Sequence, residues 1–284
     1  MSRRCATSSR RVFDEMRRCR RPRTARGTLS LLAALAICSG AARAAEPDIF
    51  LRFEVCGGPG LHFLTLHVTV DQARERYALG VDAATRGIAD LFVDLRSRLE
   101  ARGRIAGDWL RPEAMRAETH RRAVDFHTWV DYGADGVVTA EATPPPTNPV
   151  TPVSPPQMRG TVDQLTAYLQ LARHLAAHGS CALALPVFDG RRRYDLRFTD
   201  QPPEVLPSLR GAAQVCQMWR RRIAGFPIDG GGDQPTDRGK LWFARLVPGD
   251  IMVPVRMEFG SEFGTFTAKL AELRGRGVEL QFTE

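Results

Sequence analysis

The sequence has no long hydrophobic run. A membrane-spanning helix needs roughly 20 consecutive apolar residues, and the main apolar run, residues 29–37, has about half that length. Later in the chain, polar residues interrupt the apolar ones every few positions. The mature protein is therefore expected to be soluble and not membrane-spanning.

The sequence also lacks the common motifs of catalytic, phosphate-binding and metal sites. Residues 260–264 imitate a nucleophile elbow, but Ser261 stands one position too early. Residues 230–233 are glycine-rich but no Lys and helix follow in the order of a phosphate loop. His174 and His178 have a spacing that can hold zinc, but no third ligand is apparent. We therefore predict no catalytic residue, no metal and no cofactor, and a hydrolase is the less favoured alternative.

The first 44 residues have the order of a secretory signal peptide. Arg is concentrated in residues 17–23, residues 29–37 are apolar, and small residues follow up to Ala44. Export removes a segment of this kind. We predict that residues 1–44 are cleaved and that the mature protein, residues 45–284, is periplasmic.

Two variants of this leader are open. Translation from Met16 gives a leader of ordinary length, since residues 1–15 only extend the basic segment. Cys38 imitates a lipoprotein signal, but Ile37 before it fits such a signal poorly. The sequence therefore disfavours lipidation.

Removal of the leader reverses the charge of the chain. The full sequence carries 40 Lys+Arg against 32 Asp+Glu, a net charge of +8. Residues 1–44 hold 11 of the Arg and two acids, which leaves 29 basic and 30 acidic residues. A mature protein that is nearly neutral lacks the basic surface that binds a phosphate backbone. Nucleic acid is therefore not expected as a partner.

Apolar and polar residues alternate along most of the mature chain. In residues 49–55, for example, Leu51 and Phe53 share one side and Arg52 and Glu54 share the other. This period is typical of strands with one covered face. The sequence predicts a mainly β protein, a curved antiparallel half-barrel of roughly eleven strands. The alternating segments are residues 49–55, 64–70, 77–81, 91–95, 124–132, 183–187, 194–198, 213–223, 241–246, 251–259, 266–270 and 278–282.

One segment has helical periodicity instead. Residues 161–178 carry an apolar stripe that includes Leu165 and Leu169. Thr161 is the predicted N-cap and Gly179 the C-terminal stop. We expect this one main helix to cover the apolar side of the sheet and to leave a cavity beneath it.

Prolines are concentrated in residues 144–156, which contain few large apolar groups. Such a composition favours an extended linker. Because strands of the same character lie on both sides, residues 45–284 are predicted to form a single β-rich domain that this linker crosses on the surface.

Several short motifs, taken together, resemble a known family. They are residues 160–165, Cys181, residues 187–196, Cys216, and residues 223–226, 242–243, 253–256 and 263–264. In this order they resemble an exported proteobacterial family catalogued as a domain of unknown function (number 3108). The resemblance implies an envelope protein with no established chemistry, so it assigns no catalytic residue. In layout the family is more remotely similar to periplasmic lipid and lipoprotein carriers, which are half-barrels.

The densest motif contains an Asp-Gly pair. Asp189 and Gly190 suit a type I′ turn between a strand that Phe188 closes and one that Tyr194 opens. The Asp189 side chain is expected to pair with an Arg of the adjacent run or with Arg197. The pair is interpreted as hairpin architecture, with contact to a ligand or partner as the alternative.

Two runs of three arginines, residues 191–193 and 220–222, can attract anionic headgroups. The alternative is a solvated face with local ion pairs. Neighbouring side chains of a strand project to opposite faces of the sheet, so the three arginines of a run cannot all face one headgroup. This favours the solvated face with local ion pairs.

The mature chain has three cysteines. Cys181 precedes the predicted hairpin and Cys216 lies in the strand after it, so the two can face each other. We predict a disulfide between them, which the oxidising periplasm permits. The alternative is two buried thiols. In either case Cys56 has no partner within the mature chain.

The favoured function is a periplasmic binding or carrier protein without catalytic activity. An apolar or lipid-like ligand would lie between the curved sheet and the helix. The alternative is an envelope assembly or interaction protein that binds another protein and no small molecule. The candidate ligand-lining residues are Phe53, Leu66, Leu91, Phe126, Leu165, Leu169, Phe243 and Val255.

Overall fold

Period-two alternation builds one antiparallel sheet from residues 49–281. The computed structural model describes residues 47–57, 60–87, 90, 94–228, 237–261 and 264–282, all of which belong to the compact unit Ala45–Glu284. The predicted leader and the candidate lining residue Leu91 lie outside the described residues.

Within those ranges the sheet has fourteen strands. Their order is β7-β6-β5-β4-β3-β2-β1-β13-β12-β11-β10-β9-β8, and β14 pairs with β13. The strands are β1 (Ile49–Gly57), β2 (Leu61–Gln72), β3 (Arg76–Thr85), β4 (Leu95–Ala106), β5 (Trp109–Arg121), β6 (Val124–Tyr132), β7 (Val138–Thr143), β8 (Leu183–Phe188), β9 (Arg193–Val205), β10 (Ala212–Ala224), β11 (Arg238–Ala244), β12 (Val253–Ser261), β13 (Gly264–Gly275) and β14 (Val278–Gln281).

The mainly β class and the curved antiparallel sheet are confirmed, but the predicted number of strands is too low. Most of β4 and all of β5 and β7 were not expected as strands, because large apolar residues do not mark their inner face. Small residues such as Ala101 and Gly103 stand there and are buried. The outer face carries Arg and Glu side chains, and cross-strand ion pairs such as Arg104 with Glu113 replace apolar packing there.

The main helix begins later than predicted. The chain forms α1 (Pro155–Met158), inside the expected linker, and α2 (Gln164–His178). Asp163, not Thr161, is the N-cap of α2, and its side chain accepts the backbone N–H of Thr166 at 2.9 Å. Thr161 instead donates its hydroxyl to the carbonyl oxygen of Met158. Gly179 ends the helix in the left-handed conformation, as predicted.

Helix α2 closes one end of the half-barrel. Leu171 and Leu175 are buried in the core. Gln170 accepts the backbone N–H of Leu110 and donates to the carbonyl oxygen of Asp108, both at 2.7 Å, which ties the helix to the β4–β5 hairpin. The space beneath the helix is therefore filled by core side chains and by hydrogen bonds to the sheet.

The two ends of the sheet approach each other without pairing. Val162 forms an isolated parallel bridge with Val187 of β8. Tyr132 of β6 donates its hydroxyl to the carbonyl oxygen of Phe188 at 3.4 Å. The sheet thus curls into a half-barrel whose gap is spanned by the segment between β7 and α2.

The predicted Cys181–Cys216 disulfide is present, with Cα atoms 5.6 Å apart. It links the segment that precedes β8 to β10, across the intervening strand β9. Cys56 on β1 is a half-buried free thiol. A structural disulfide is typical of an oxidising, exported environment. Among the described residues, no helix is long and apolar enough to cross a membrane.

Candidate functional site at the mouth of the half-barrel

Strand register identifies the residues that face the inside of the half-barrel. Phe53, which is 1% exposed, pairs with Leu66. Directly paired residues project to the same face of a sheet, so Leu66 also faces inward. From β2 to β6, successive paired residues form one inward-facing row. The row consists of Leu66, Ala83, Ser97, Thr119 and Phe126.

Burial along the inner face falls with distance from α2. Tyr77 and Leu110, which are hydrogen-bonded to Thr166 and Gln170 of α2, are buried. At the opposite end, five large apolar side chains on the inner face are only half-buried: Leu64, Leu66, Phe126, Phe259 and Phe266. We call these five residues the mouth.

Glycines on neighbouring strands make room for the mouth phenylalanines. A Cβ atom on Gly57 would lie 2.6 Å from the Phe266 ring. A Cβ atom on Gly239 would lie 2.9 Å from the Phe259 ring. Phe63 stacks against Phe266 with ring centroids 5.2 Å apart. The mouth is therefore a formed apolar surface that the described chain leaves partly open to solvent.

The eight candidate lining residues do not lie together. Phe53, Leu169, Phe243 and Val255 are buried in the core, and Leu165 is half-buried on α2. The register places Leu66 and Phe126 in the mouth. Leu91 lies outside the described residues.

The motif hairpin is present, but its turn is not the predicted two-residue type I′. Phe188 pairs with Arg193, which leaves a four-residue connection. Asp189 donates its backbone N–H to the carbonyl oxygen of Arg192. The Asp189 carboxylate accepts the backbone N–H groups of Arg191 at 3.0 Å and Arg192 at 2.7 Å. The Asp189 carboxylate therefore accepts hydrogen bonds from the turn backbone rather than from a guanidinium. These bonds stabilise the four-residue turn.

Two arginines lie over the Phe126 ring at one side of the mouth. The guanidinium carbon of Arg121 is 5.4 Å from the ring centroid and that of Arg191 is 6.0 Å away. Arg191 is held in place because it donates to the carbonyl oxygens of Thr143 and Pro144.

Three more arginines surround the Phe226 ring. The guanidinium carbons of Arg192, Arg220 and Arg222 lie 5.6, 5.9 and 5.1 Å from its centroid. Asp237 is buried and pairs with Arg220 and Arg222, each with an N–O distance of 2.8 Å. We call Arg121, Arg191, Arg192, Arg220 and Arg222 the guanidinium rim.

The two arginine runs divide as strand alternation requires. Arg193 and Arg221 both pair with Asp195 on the other face of the sheet, at 2.7 and 2.5 Å. Arg220 and Arg222 are on the inner face, since they pair in register with Leu196 and Tyr194. Each run therefore contributes both to a local ion pair and to the rim.

Comparison with known proteins identifies the family. Residues 52–271 match the family model described as "Protein of unknown function (DUF3108)". The chain belongs to the DUF3108 family. No curated protein matches the chain. Among solved structures it is similar to a crystal structure of a beta-barrel-like protein of domain of unknown function DUF1849 from Brucella abortus, with 9% identity and a TM-score of 0.45, over 83% of this chain and 98% of the other.

In this DUF3108 chain, two distant motif segments meet at the rim. Gly225 donates its backbone N–H to the carbonyl oxygen of Thr151. A Cβ atom on Gly225 would lie 2.1 Å from the carbonyl oxygen of Arg191. Residues 223–226 therefore pack directly on the turn of residues 189–192, and this contact places Phe226 beneath the arginines.

Buried acids and tyrosines lie behind the rim. Burial raises the pKa of Asp163 and of Asp189, although hydrogen bonds to each carboxylate oppose the increase. Burial also raises the pKa of Tyr168 to about 12 and, aided by the charge of Asp189, raises that of Tyr194. Arg220 lies 5.6 Å over the Tyr194 ring, and its positive charge favours ionisation of both tyrosines.

The outer face of the DUF3108 sheet carries a separate polar groove. It has a volume of about 420 Å³ and crosses β2 to β6. Arg98 pairs with Glu100, and His120 pairs with Asp125 at 2.8 Å. His120 and Asp125 both line the groove and pair with each other, which is typical of a solvated face.

The two candidate zinc ligands lie on α2. The rings of His174 and His178 are 4.5 Å apart. Burial lowers the pKa of His174, and the neighbouring His178 lowers it further. The described ranges contain no cluster of three side chains suited to a metal ion.

Arg121 of the rim and Asp237, which pairs with two rim arginines, had no role in the sequence prediction. Arg121 closes β5, which was not expected as a strand, and Asp237 lies beyond a glycine-rich segment. Phe226 belongs to the family motif at residues 223–226, so the sequence marked its segment. The position of Phe226 beneath the arginines could not be predicted, because it depends on the contact between this segment and the turn of residues 189–192.

Proposed function

We propose that the protein is a periplasmic, non-enzymatic binding or carrier protein that holds an apolar, lipid-like ligand in the mouth of the half-barrel. The observation that carries the proposal is the half-exposed inner face opposite α2. Single exposed apolar side chains are common, but a contiguous, partly exposed apolar surface is typical of a binding or contact site. Five of them on one concave face support a site for an apolar ligand.

The proposal places the ligand away from the helix. Beneath α2 the core is filled, since Leu171, Leu175 and Phe243 are almost completely buried. Of the candidate lining residues, Leu66 and Phe126 remain in the proposed site. An interaction with another envelope protein is the alternative outcome of the experiments below.

Native mass spectrometry and lipid extraction of protein exported to the periplasm test the proposal directly. The expected result is a bound apolar species that organic solvent releases. Protein that carries no such species and binds no dansyl-undecanoate probe would overturn the proposed function.

A pair of tryptophan variants tests the location. Leu66→Trp adds a large ring in the mouth and should weaken binding of the probe by at least about tenfold, because the chain and the indole compete for one space. His67→Trp adds the same ring to the outer face of the same strand and should leave probe affinity unchanged. Equal affinity of both variants would place the ligand elsewhere.

A further inference from the structure

We propose that the ligand is an anionic amphiphile whose carboxylate or phosphate headgroup binds the guanidinium rim while its chain lies in the mouth. This inference rests on the proposed function, because it assigns the chemical class of the ligand for the same site.

The first argument is the concentration of positive charge. Three guanidinium carbons lie within 6 Å of the Phe226 centroid, and the carboxylate of Asp237 pairs with two of these guanidinium groups. Like charges held this close repel one another, so an added anion lowers their electrostatic energy.

The second argument is the availability of two rim arginines. Arg121 and Arg192 are exposed, and each lies over a phenylalanine ring. Within the described ranges, neither side chain forms an ion pair within 4 Å or donates a side-chain hydrogen bond, although the charge of Arg192 acts on the nearby Asp189 carboxylate. A planar guanidinium with free donors is suited to bind a carboxylate or phosphate in a bidentate manner.

The third argument is the position of Phe126. The register places it at the end of the inward-facing positions that include Leu66. The same ring lies beneath Arg121 and Arg191. Apolar and cationic surfaces therefore meet at one side chain, which is the arrangement that an amphiphile requires and a free inorganic anion does not.

The fourth argument is that the rim is held in place without the ligand. Arg191 is fixed by the carbonyl oxygens of Thr143 and Pro144. Arg220 and Arg222 are fixed by Asp237. Such anchoring reduces the entropy that binding a headgroup would otherwise cost.

Two probes with the same chain separate the headgroup from the apolar contribution. Dansyl-undecanoate carries a carboxylate, and its methyl ester does not. We expect the exported protein to bind the acid about tenfold more tightly than the ester at low salt. The difference should decrease at high salt, because salt screens exposed charges.

A double variant assigns that difference to the rim. Arg121→Gln with Arg192→Gln should weaken binding of the acid about fivefold to tenfold and leave the ester unchanged. Arg74→Gln with Arg111→Gln removes the same charge from exposed positions elsewhere and should change neither affinity. Neither rim substitution breaks an ion pair, so the variant is expected to fold.

The other outcomes are distinguishable. If both probes bind equally and the rim variant has no effect, the headgroup inference is wrong and the proposed function stands. If neither probe binds, both are wrong. If butyrate or inorganic phosphate displaces the acid at the concentration of the probe itself, the rim binds a free anion and the amphiphile is rejected.

Discussion

Asp163 caps helix α2 through Thr166. Its carboxylate accepts the backbone N–H of Thr166 at 2.9 Å and the hydroxyl of Thr166 at 2.6 Å. The same hydroxyl oxygen lies 2.8 Å from the hydroxyl of Tyr77 on β3. All three side chains are buried, so one carboxylate fixes the start of the helix and its position on the sheet.

Removal of the Asp163 carboxylate is expected to destabilise the protein. Asp163→Ala should lower the free energy of unfolding by about 2 kcal/mol, because the cap is lost and the buried Thr166 groups lose their acceptor. Asp163→Asn keeps an acceptor for the N–H and should cost less than about 1 kcal/mol at neutral pH. Urea unfolding of both variants measures this, and equal losses would contradict a capping role.

The pH dependence of stability should reveal the ionisation of Asp163. Burial raises its pKa in the folded state above the unfolded value of about 4. Protonation therefore favours the folded state, and this stability is complete below the unfolded pKa and is lost as pH rises through the folded pKa. Relative to Asp163→Asn, the wild type should lose stability as the pH rises above the unfolded pKa of about 4. A difference that does not change with pH would argue against a raised pKa.

The disulfide is expected to contribute substantially to stability. Cys181 and Cys216 are separated by 35 positions, and the chain-entropy relation gives about 3–4 kcal/mol for such a loop. The Cys181→Ala, Cys216→Ala double variant should lose that amount in denaturant unfolding. Cys56→Ser, which changes a free thiol, should lose less than about 0.5 kcal/mol. Similar losses in the two proteins would refute the prediction.

The contact between Gly225 and the motif turn can be tested with a second glycine. Gly225 and Gly136 both have positive φ angles, +83° and +79°. Alanine at Gly136 meets no atom within 4 Å, so it should cost about 1 kcal/mol of backbone strain. Alanine at Gly225 overlaps the carbonyl oxygen of Arg191 and should cost at least about 3 kcal/mol. Thermal or urea unfolding of the two alanine variants measures these costs. Equal costs would show that residues 223–226 do not pack closely on the turn of residues 189–192.

The buried carboxylate of Asp237 should stabilise the rim. Asp237→Asn leaves Arg220 and Arg222 without that negative charge and should lower the free energy of unfolding by about 2 kcal/mol. The loss should be smaller in 0.5 M salt, about half, since salt screens the repulsion between the arginines. Asp131→Asn is the control for the opposite face and should cost less, because Asp131 and its partner Arg116 are both nearly half exposed. No salt dependence would contradict the charge argument.

Much of the fold follows from local patterns in the sequence. Residues 49–55 alternate apolar and polar side chains, which requires a half-covered strand, and β1 forms there. Gly179 ends α2 because it can adopt a positive φ angle at little cost. The helix start was harder to predict, since Thr161 and Asp163 are both good caps and the bridge between Val162 and Val187 excludes the first of them.

The strands β4 and β5 could not be recognised from apolar alternation. Their inner residues are small, and their outer residues are charged, so each segment alone resembles a polar helix or loop. Cross-strand pairs of opposite charge stabilise these strands in place of apolar packing. Arg98, for example, lies opposite Glu118 and Asp82 on the neighbouring strands.

The order of basic, apolar and small residues at the start, the period-two alternation and the positions of Cys181 and Cys216 are local or pairwise properties. They were sufficient to predict a curved antiparallel sheet and the disulfide, which the structure confirms. Export by the leader stays a prediction. The mouth and the guanidinium rim depend on long-range register and on the curl of the sheet. Register and curl bring Phe126, Arg191 and Phe226 together although they are far apart in the chain. A local sequence pattern cannot predict such a contact, because it depends on which distant strands become neighbours.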